Sequence, residues 1–390
     1  MQISLDFSVY MCYIYIKGEA MKKTFQYRIY SNKQTFQNAQ LWINLCRLLY
    51  NTFLEWRIIE YKTTKKFLSY YDQQNRLKYF KQIFPEFKQV GSQVLQDVVQ
   101  RLDKAYQGFF RRIKNGDTPG FPRFKGYNRY DSFTLKQYSW KLEGKYLTIR
   151  NVGKFKIKLS RPIEGTIKTV TIRKTSSGKW FVNFSCDNVP DKPLPKTNKE
   201  IGIDVGCESF LTDSNGRKIP NPRFFKKSQN LLKMRQQRLS RRKRGSNRRN
   251  KARLLVAKAH EKVFNQRRDF HFKVANYLLK ENDVIYIEKL KSWNTFRVLN
   301  KSLRDVAWFQ FFSILKVKAE YAGREIIEVP AKNTSQRCSS CEAIVPKDLS
   351  VRIHSCSCGL NIDRDFNSAI LIKSLGQRLR IASPLNPRIS

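Results

Sequence analysis

The spacing of apolar positions changes along this chain, and each change marks an element. Thr24 to Tyr30 alternates apolar and polar as a strand does. Asn32 then stands where a helix cap is expected, and Leu41, Leu45, Leu48, Leu49, Trp56 and Ile59 follow at helical spacing with Phe53 beside them. A second helical region, Gln73 to Phe87, is basic and aromatic. A third, Ser92 to Lys114, carries Val94, Leu95, Val98, Leu102, Ala105, Tyr106, Phe109 and Phe110. Three helices with little strand between them predict one helical lobe. Thr118-Pro119-Gly120-Phe121-Pro122-Arg123-Phe124-Lys125 ends it, with prolines, a glycine and cations between aromatics, as in an exposed loop. From Ser132 to Cys186 the period drops to two. Leu147-Thr148-Ile149, Phe155 to Leu159, Thr169 to Ile172 and Trp180 to Phe184 read as strands separated by glycine turns. They predict a small β-barrel or sandwich, which the strand at Thr24 can complete. Pro190, Pro193 and Pro195 then make a linker.

The second half opens on Ile201, Ile203 and Val205, alternating with Gly202, Asp204 and Gly206. This is a strand with one carboxylate between two glycines. Lys226 to Arg253 is a basic helical stretch holding Arg241-Arg242-Lys243-Arg244 and Arg248-Arg249. Gly245-Ser246-Asn247 interrupts it and can cap a second helix, which runs past Leu254, Leu255 and His260 to about Leu279. Val284 to Ile287 is a continuous apolar run, as in a strand buried on both faces, and it ends in Glu288. A helix from about Ser302 to Ala322, a strand at Ile326 to Val329 and a helix from Asp365 through Ile370 and Leu375 complete the pattern.

Charge narrows the partners. Lys and Arg number 76 against 31 for Asp and Glu, a formal net charge of +45. A compact chain so charged repels itself unless a polyanion neutralises it, and nucleic acid is the polyanion to expect. A run of cations is commonly only a solvated face, but here it is continuous with an apolar stripe, so it marks a folded helix with one basic side. No stretch approaches the roughly 20 apolar residues of a membrane-spanning helix. Aromatics at 13% exclude a disordered basic tail. In residues 1–20 an apolar run follows Asp6, where a signal peptide would carry Lys or Arg. We read Met21 as the working start and the preceding residues as an upstream extension.

Four of the eight cysteines fall within 21 residues: Cys338, Cys341, Cys356 and Cys358, written C-x2-C, a 14-residue gap, then C-x-C. Four thiolates in two close pairs suit one tetrahedral Zn2+. The gap is too short for a core of its own, so the metal would supply most of the folding energy there. His354 is a candidate substitute ligand, although we read it as a surface histidine. Cysteines spaced for metal suit a reducing compartment.

Three carboxylates occupy special places: Asp204 in a strand, Glu288 at the end of a central strand and Asp365 at the start of a late helix. Strands and helices far apart in sequence can bring such groups to one sheet edge, where they would hold two divalent ions for phosphodiester chemistry. Acids at such places are also ordinary caps and turn residues.

The local sequences around them carry more. Ile203-Asp204-Val205-Gly206, Ile287-Glu288-Lys289-Leu290, Asn333-Thr334-Ser335-Gln336-Arg337-Cys338-Ser339-Ser340-Cys341 and Asp363-Arg364-Asp365-Phe366-Asn367-Ser368-Ala369 together resemble the TnpB family. Gly120 to Lys125 and Gln266-Arg267-Arg268-Asp269-Phe270 match as well, so the resemblance covers Met21 to about Leu375. TnpB proteins are encoded by bacterial and archaeal insertion sequences and are related to type V CRISPR effector nucleases.

The resemblance implies an α+β multidomain fold: residues 1–20 as a dispensable extension, 21–31 as the first wedge strand, 32–117 as a helical recognition lobe and 118–189 as a wedge β-barrel. A linker at 190–199 would follow, then an RNase H-like (RuvC) nuclease at 200–375 with a zinc-ribbon insert at 334–361, and a basic tail at 376–390. It implies an RNA-guided DNA endonuclease, cytoplasmic and nucleoid-associated in a prokaryote, that uses a guide RNA, double-stranded target DNA and a short flanking motif. No membrane partner is implied, and nothing about oligomeric state. Asp204, Glu288 and Asp365 would be catalytic Mg2+ ligands, and the four cysteines would hold structural Zn2+. Asp365 is chosen over Asp363 because the family's acid lies two residues before the asparagine; Asp363 is then a cap. Arg241, Arg242, Lys243, Arg244, Arg248, Arg249, Phe121, Arg123 and Lys125 are the expected nucleic-acid contacts. Glu342 stands where the family usually has glycine, so strain is expected in the first half of the knuckle. A guided repressor that has lost cutting, and a DNA-strand transferase, are the competing readings; the first should lack catalytic acids and the second should carry a target-capture domain.

Overall fold

The computed structural model of the protein describes residues 21–136, 139–289, 305–331, 333–348 and 351–382. Residues 1–20, read as an extension, and residues 383–390 lie outside the described residues. The chain divides into two compact units, Met1–Pro190 and Asp191–Ser390.

In the first unit seven antiparallel strands form a near-closed barrel. They are β1 (Met21–Tyr30), β2 (Ser132–Leu135), β3 (Trp140–Glu143), β4 (Tyr146–Ile149), β5 (Gly153–Lys158), β6 (Thr166–Lys174) and β7 (Trp180–Val189), in the order β2-β6-β7-β1-β5-β4-β3. The strand at Thr24 is therefore central to the barrel. Alternation sends Phe25, Tyr27 and Ile29 inward, with Phe25 opposite Phe184 and Tyr27 opposite Val182. Helices α1 (Lys33–Thr64), α2 (Tyr70–Asn75), α3 (Leu77–Ile83) and α4 (Ser92–Lys114) complete the unit. Asn32 caps α1 as expected, its side chain accepting the Thr35 N–H at 2.8 Å. Trp42, Leu49, Phe53, Val94, Leu95 and Leu102 lie in one core with the barrel.

The helix expected from Gln73 to Phe87 is instead broken into α2, α3 and a short 3-10 turn at Pro85–Gln89. Ser69 and Asp72 start α2 early with a reciprocal capping box. Pro85, without an N–H, cannot continue α3. Gln73 is fully buried, because the buried Arg57 donates to its Oε1 at 2.6 Å and its own Nε2 donates to the Phe53 carbonyl at 2.8 Å.

The second unit is built on β8 (Glu200–Asp204), β9 (Ser209–Asp213), β10 (Lys218–Pro220), β11 (Val284–Lys289) and β12 (Glu325–Pro330), in the order β10-β9-β8-β11-β12. The first three form an antiparallel meander, and β11 runs parallel to both β8 and β12. A three-stranded meander extended by two parallel strands is the RNase H-like arrangement. Its helices are α5 (Phe224–Ser240), α6 (Asn247–Glu281), α7 (Trp308–Ala322) and α8 (Arg364–Ala382). Val274, Leu278, Phe311 and Leu315 of α6 and α7 share a core with Ile201, Ile203, Ile285 and Ile287. Val284, Tyr286 and Val329 pack instead with Ile372 of α8. Alternate residues of β11 thus enter two cores, which is why its sequence is apolar throughout.

Helix α8 lies directly on the sheet. A Cβ added to Gly202 would fall 2.3 Å from the Ala369 carbonyl oxygen, and one added to Gly376 would fall 2.0 Å from a Tyr286 ring carbon. The helix continues through Gly376 into the segment read as a tail. The proline-rich linker is anchored from Leu194 onward: Arg324 donates to Pro195 O at 2.6 Å, and Asp283 accepts from the N–H groups of Thr197 and Asn198. Residues 302–304 of the helix expected before Ala322 lie outside the described residues.

Candidate active site and metal centre

The sheet register creates the site. Ile203 of β8 is paired with Ile287 of β11 in a parallel ladder, so Asp204 and Glu288 emerge next to each other at one sheet edge. Asp365 comes from the first turn of α8, which packs along β8. Its Oδ2 lies 3.8 Å from where a Gly206 Cβ would be, two residues beyond Asp204. The electrostatics of Asp204 report the gathering. Its carboxyl is pushed well above the ordinary range, first by burial and then by the charges of Glu288 and Asp365, with Arg364 opposing. Burial also pushes Glu288 up, while the hydrogen bond from Thr334 draws it down. A buried Asp204 with two further carboxylates acting on it is stabilised most directly by divalent cations, and carboxylate oxygens are the ligands that hard cations take.

Asp363 has the different role expected for it. Its Oδ1 accepts the N–H groups of Asp365 and Phe366, both at 3.1 Å, and so caps α8. Its Oδ2 is held by Lys218 Nζ at 2.6 Å. Burial pushes this carboxyl up, but Lys218 and the helix amides outweigh it and hold the group below its usual value. The partners of the two neighbouring acids were not legible in the sequence. Arg364 directs Nε and Nη2 at Asp365 Oδ1, at 3.2 and 3.1 Å. Thr334 donates its hydroxyl to Glu288 Oε1 at 2.5 Å. Both residues lie in stretches that match the TnpB motifs, but no spacing rule points a hydroxyl at a carboxylate 46 positions away.

The four cysteines meet at one point. The sulfur atoms of Cys338, Cys341, Cys356 and Cys358 all lie within 4.8 Å of one another. The Cys338–Cys358 and Cys341–Cys356 separations are 3.7 and 3.5 Å. A tetrahedron with metal–sulfur bonds of about 2.3 Å requires sulfur separations of about 3.8 Å, so the cluster fits a tetrahedral metal ion. The Cys358 backbone N–H, and then the Cys341 thiol, hold the Cys356 thiol down to about 6. The second pair sits on a hairpin of β13 (Ile353–Ser355) and β14 (Asn361–Asp363). His354 corrects the surface reading: it is fully buried and not part of the sulfur cluster, because alternation on β13 turns it away from solvent, with Lys347 beside its Nδ1. Glu342 takes a φ of +63°, the left-handed conformation that glycine adopts freely, so the expected strain is present.

The basic residues are divided between the units. Arg241, Lys243, Arg244 and Arg248 are exposed around the turn joining α5 to α6, where Gly245 has a φ of +83° and Ser246 caps α6. Arg249 also builds that turn, donating Nη1 to the carbonyls of Leu239 and Arg242 at 2.9 and 2.8 Å. In the first unit the Lys125 backbone is clamped by Asn51 through bonds of 2.7 and 3.0 Å. Arg123 is exposed, and Phe121 is half exposed with its ring edge-on to Tyr106 and Phe109.

Comparison with known proteins now bears on this geometry. Family models described as "Probable transposase", "Cas12f1-like, TNB domain" and "Helix-turn-helix domain" match residues 183–299, 308–372 and 21–66. A "TnpB-like protein L770" of Acanthamoeba polyphaga mimivirus is 29% identical over 245 residues, 57% of this chain and 46% of its own. A Streptomyces pristinaespiralis protein named "Putative RNA-guided DNA endonuclease" is 30% identical over 369 residues, 92% of this chain and 90% of its own. The chain belongs to the TnpB family. A further relative, "Putative RNA-guided DNA endonuclease InsQ" of Escherichia coli K12, is 26% identical over 339 residues, 82% of this chain and 83% of its own. In this TnpB chain residues 21–66 do not form a helix-turn-helix; they form β1 and the single long helix α1. Among the described residues no helix is long and apolar enough to cross a membrane.

Proposed function

We propose that this chain is an RNA-guided DNA endonuclease encoded by an insertion sequence, with Asp204, Glu288 and Asp365 as the ligands of catalytic Mg2+. The observation that carries this is the convergence of carboxylates from β8, β11 and α8 at one sheet edge, where Glu288 and Asp365 both act on the buried Asp204. Divalent cations held there would supply Lewis-acid stabilisation of the attacking and leaving oxygens of a phosphodiester. The chain's own residues prepare the place. Thr334 and Arg364 each occupy one oxygen of a carboxylate and leave the other available. Asp363 fixes the start of α8 and thereby the position of Asp365.

Guide RNA and double-stranded DNA are proposed as partners from the names of the relatives and from the net charge of +45. The proposed contacts are Arg241, Arg242, Lys243, Arg244, Arg248 and Arg249 at the helical turn, and Phe121, Arg123 and Lys125 in the loop. Zn2+ is proposed for the four cysteines because thiolates at tetrahedral spacing favour it. The presence of all three acids argues against a repressor that has lost cutting.

The test is cleavage and gel-shift of one matched target by the protein purified with its own RNA, with Mg2+ and with chelator. Asp204→Ala, Glu288→Ala and Asp365→Ala should each lower cleavage by orders of magnitude while guided binding survives. Asp363→Ala should cost about 1 kcal/mol of stability, as for the loss of a cap. Abolition of cutting by Asp363→Ala but not by Asp365→Ala would refute the assignment. Wild-type protein that binds a matched target yet fails to cut it whichever divalent metal is supplied would support the repressor instead.

A further inference from the structure

Thr334 belongs to two sites at once. Its hydroxyl donates to Glu288 Oε1 at 2.5 Å, and the residue is only 5% exposed, so water does not readily replace this bond. Its backbone belongs to the turn leading into Cys338, in which the N–H groups of Gln336 and Arg337 both bond to Asn333 O, at 3.1 and 2.9 Å. Helix α8 clamps the same turn one residue at a time. Asn367 Nδ2 donates to Arg337 O at 2.8 Å and the Ser339 N–H donates to Asn367 Oδ1 at 2.9 Å, while the Ser368 hydroxyl, 3.0 Å from Arg364 O, also lies 3.4 Å from Thr334 O. Asn367 and Ser368 lie within one turn of Asp365. The first half of the cysteine cluster, the carboxylate of β11 and the carboxylate of α8 are therefore joined by one short network.

We infer that Thr334 is a positioning residue for Glu288, and that through it a metal ion on the four cysteines controls how well the three carboxylates hold their own cations. The inference rests on reading those carboxylates as a cation site. A carboxylate at the end of a strand can rotate. With Oε1 held by Thr334, Oε2 is the oxygen left free for a cation. The strength of that hold depends on where the Asn333–Cys338 turn sits, and Cys338 is a ligand of the cysteine site. When the four sulfurs have no ion, the turn loses its anchor at Cys338 and its placement rests on hydrogen bonds alone. The cysteine site then acts on the chemistry at a distance, in addition to stabilising its own fold.

The experiment uses the full chain with its RNA and reads Mn2+ binding by the electron paramagnetic resonance of free Mn2+, so no cleavage is required. Thr334→Val keeps size and branching but removes the donor. It should weaken Mn2+ binding by about tenfold or more, as for lost partners of metal ligands generally, with zinc content unchanged and the fold retained at a somewhat lower melting temperature. Thr334→Ser keeps the hydroxyl and should restore wild-type affinity. Removing the zinc, by Cys338→Ser or by chelation and dialysis of the wild-type complex if that variant does not fold, should weaken Mn2+ binding in the same direction. Adding Thr334→Val to the zinc-free chain should then change little, because both perturbations break one link. Wild-type Mn2+ affinity in Thr334→Val would overturn the positioning role. Independent, multiplying effects of Thr334→Val and zinc removal would overturn the coupling. Asp204→Ala is the control for the underlying reading: if it leaves Mn2+ binding intact, the carboxylates are not the cation site and the inference falls with that reading.

Discussion

Gly202→Ala adds one methyl group at the contact that brings Asp365 to Asp204. The new Cβ would lie 2.3 Å from Ala369 O, 2.7 Å from Lys373 N and 2.8 Å from Lys373 Cβ. Two of these atoms are backbone of α8, so no side chain can swing aside. Carbon and oxygen in ordinary contact are separated by about 3.4 Å, so the helix must retreat by about 1 Å. The cost of such overpacking is typically about 1–3 kcal/mol, offset by about 0.4–1 kcal/mol because alanine restricts the unfolded chain. Net destabilisation should therefore be modest. The effect on chemistry should be larger, because Asp365 lies about one turn before Ala369 on the displaced helix while Asp204 stays with the strand. A misplacement of about 1 Å costs on the order of a hundredfold in rate. Gly376→Ala is the comparison. Its Cβ meets the Tyr286 ring, about three turns from Asp365, so it should lower the melting temperature at least as much but slow cleavage much less. The assay is single-turnover cleavage of a matched target at saturating protein, with gel-shift and thermal melting on the same preparations. Cleavage by Gly202→Ala at the wild-type rate, or an equal loss in Gly376→Ala, would refute the argument that this contact sets the carboxylate geometry.

Three further predictions follow from the electrostatics and the metal sites. The Asp204 carboxyl is raised by burial and by Glu288 and Asp365, so the folded state binds its proton more tightly than the unfolded chain, and metal-free stability should fall as pH rises above about 4. Asp204→Asn should then raise the melting temperature at neutral pH in chelator and remove the stabilisation by Mg2+; an unchanged or lower melting temperature in chelator would contradict the sign. Elemental analysis should find one zinc per chain, and Cys338→Ser should lose it; full retention would exclude Cys338 as a ligand. Reversing Arg241, Arg242 and Arg248 should lower the slope of log affinity for RNA against log salt by about 2, and an unchanged slope would remove the α5–α6 turn from the contact surface.

Local patterns were enough for much of this protein. Alternation at Phe25, Tyr27 and Ile29, the caps at Asn32 and Ser246, and the apolar run at Val284 depend only on the period of the backbone and on groups three or four residues apart. The cysteine spacing belongs to the same kind, because two close pairs leave few alternatives for where four sulfurs can meet. The choice of Asp365 over Asp363 rested on a motif, and the cap geometry of Asp363 has a physical cause within its own turn. What tertiary structure alone decided is the side-chain company of these groups. Nothing local makes Gln73 a buried partner of Arg57, turns His354 inward, gives Arg249 a carbonyl cradle or aims Thr334 at Glu288. Such contacts depend on which elements the sheet order makes neighbours. Even Gly202, which reads as one of two glycines flanking an acid, takes its meaning from α8, a helix more than 150 residues later that passes too close for any Cβ. Periods and caps are properties of a chain segment; the convergence of Asp204, Glu288 and Asp365 is a property of packing, because only the core beneath them brings β8, β11 and α8 together.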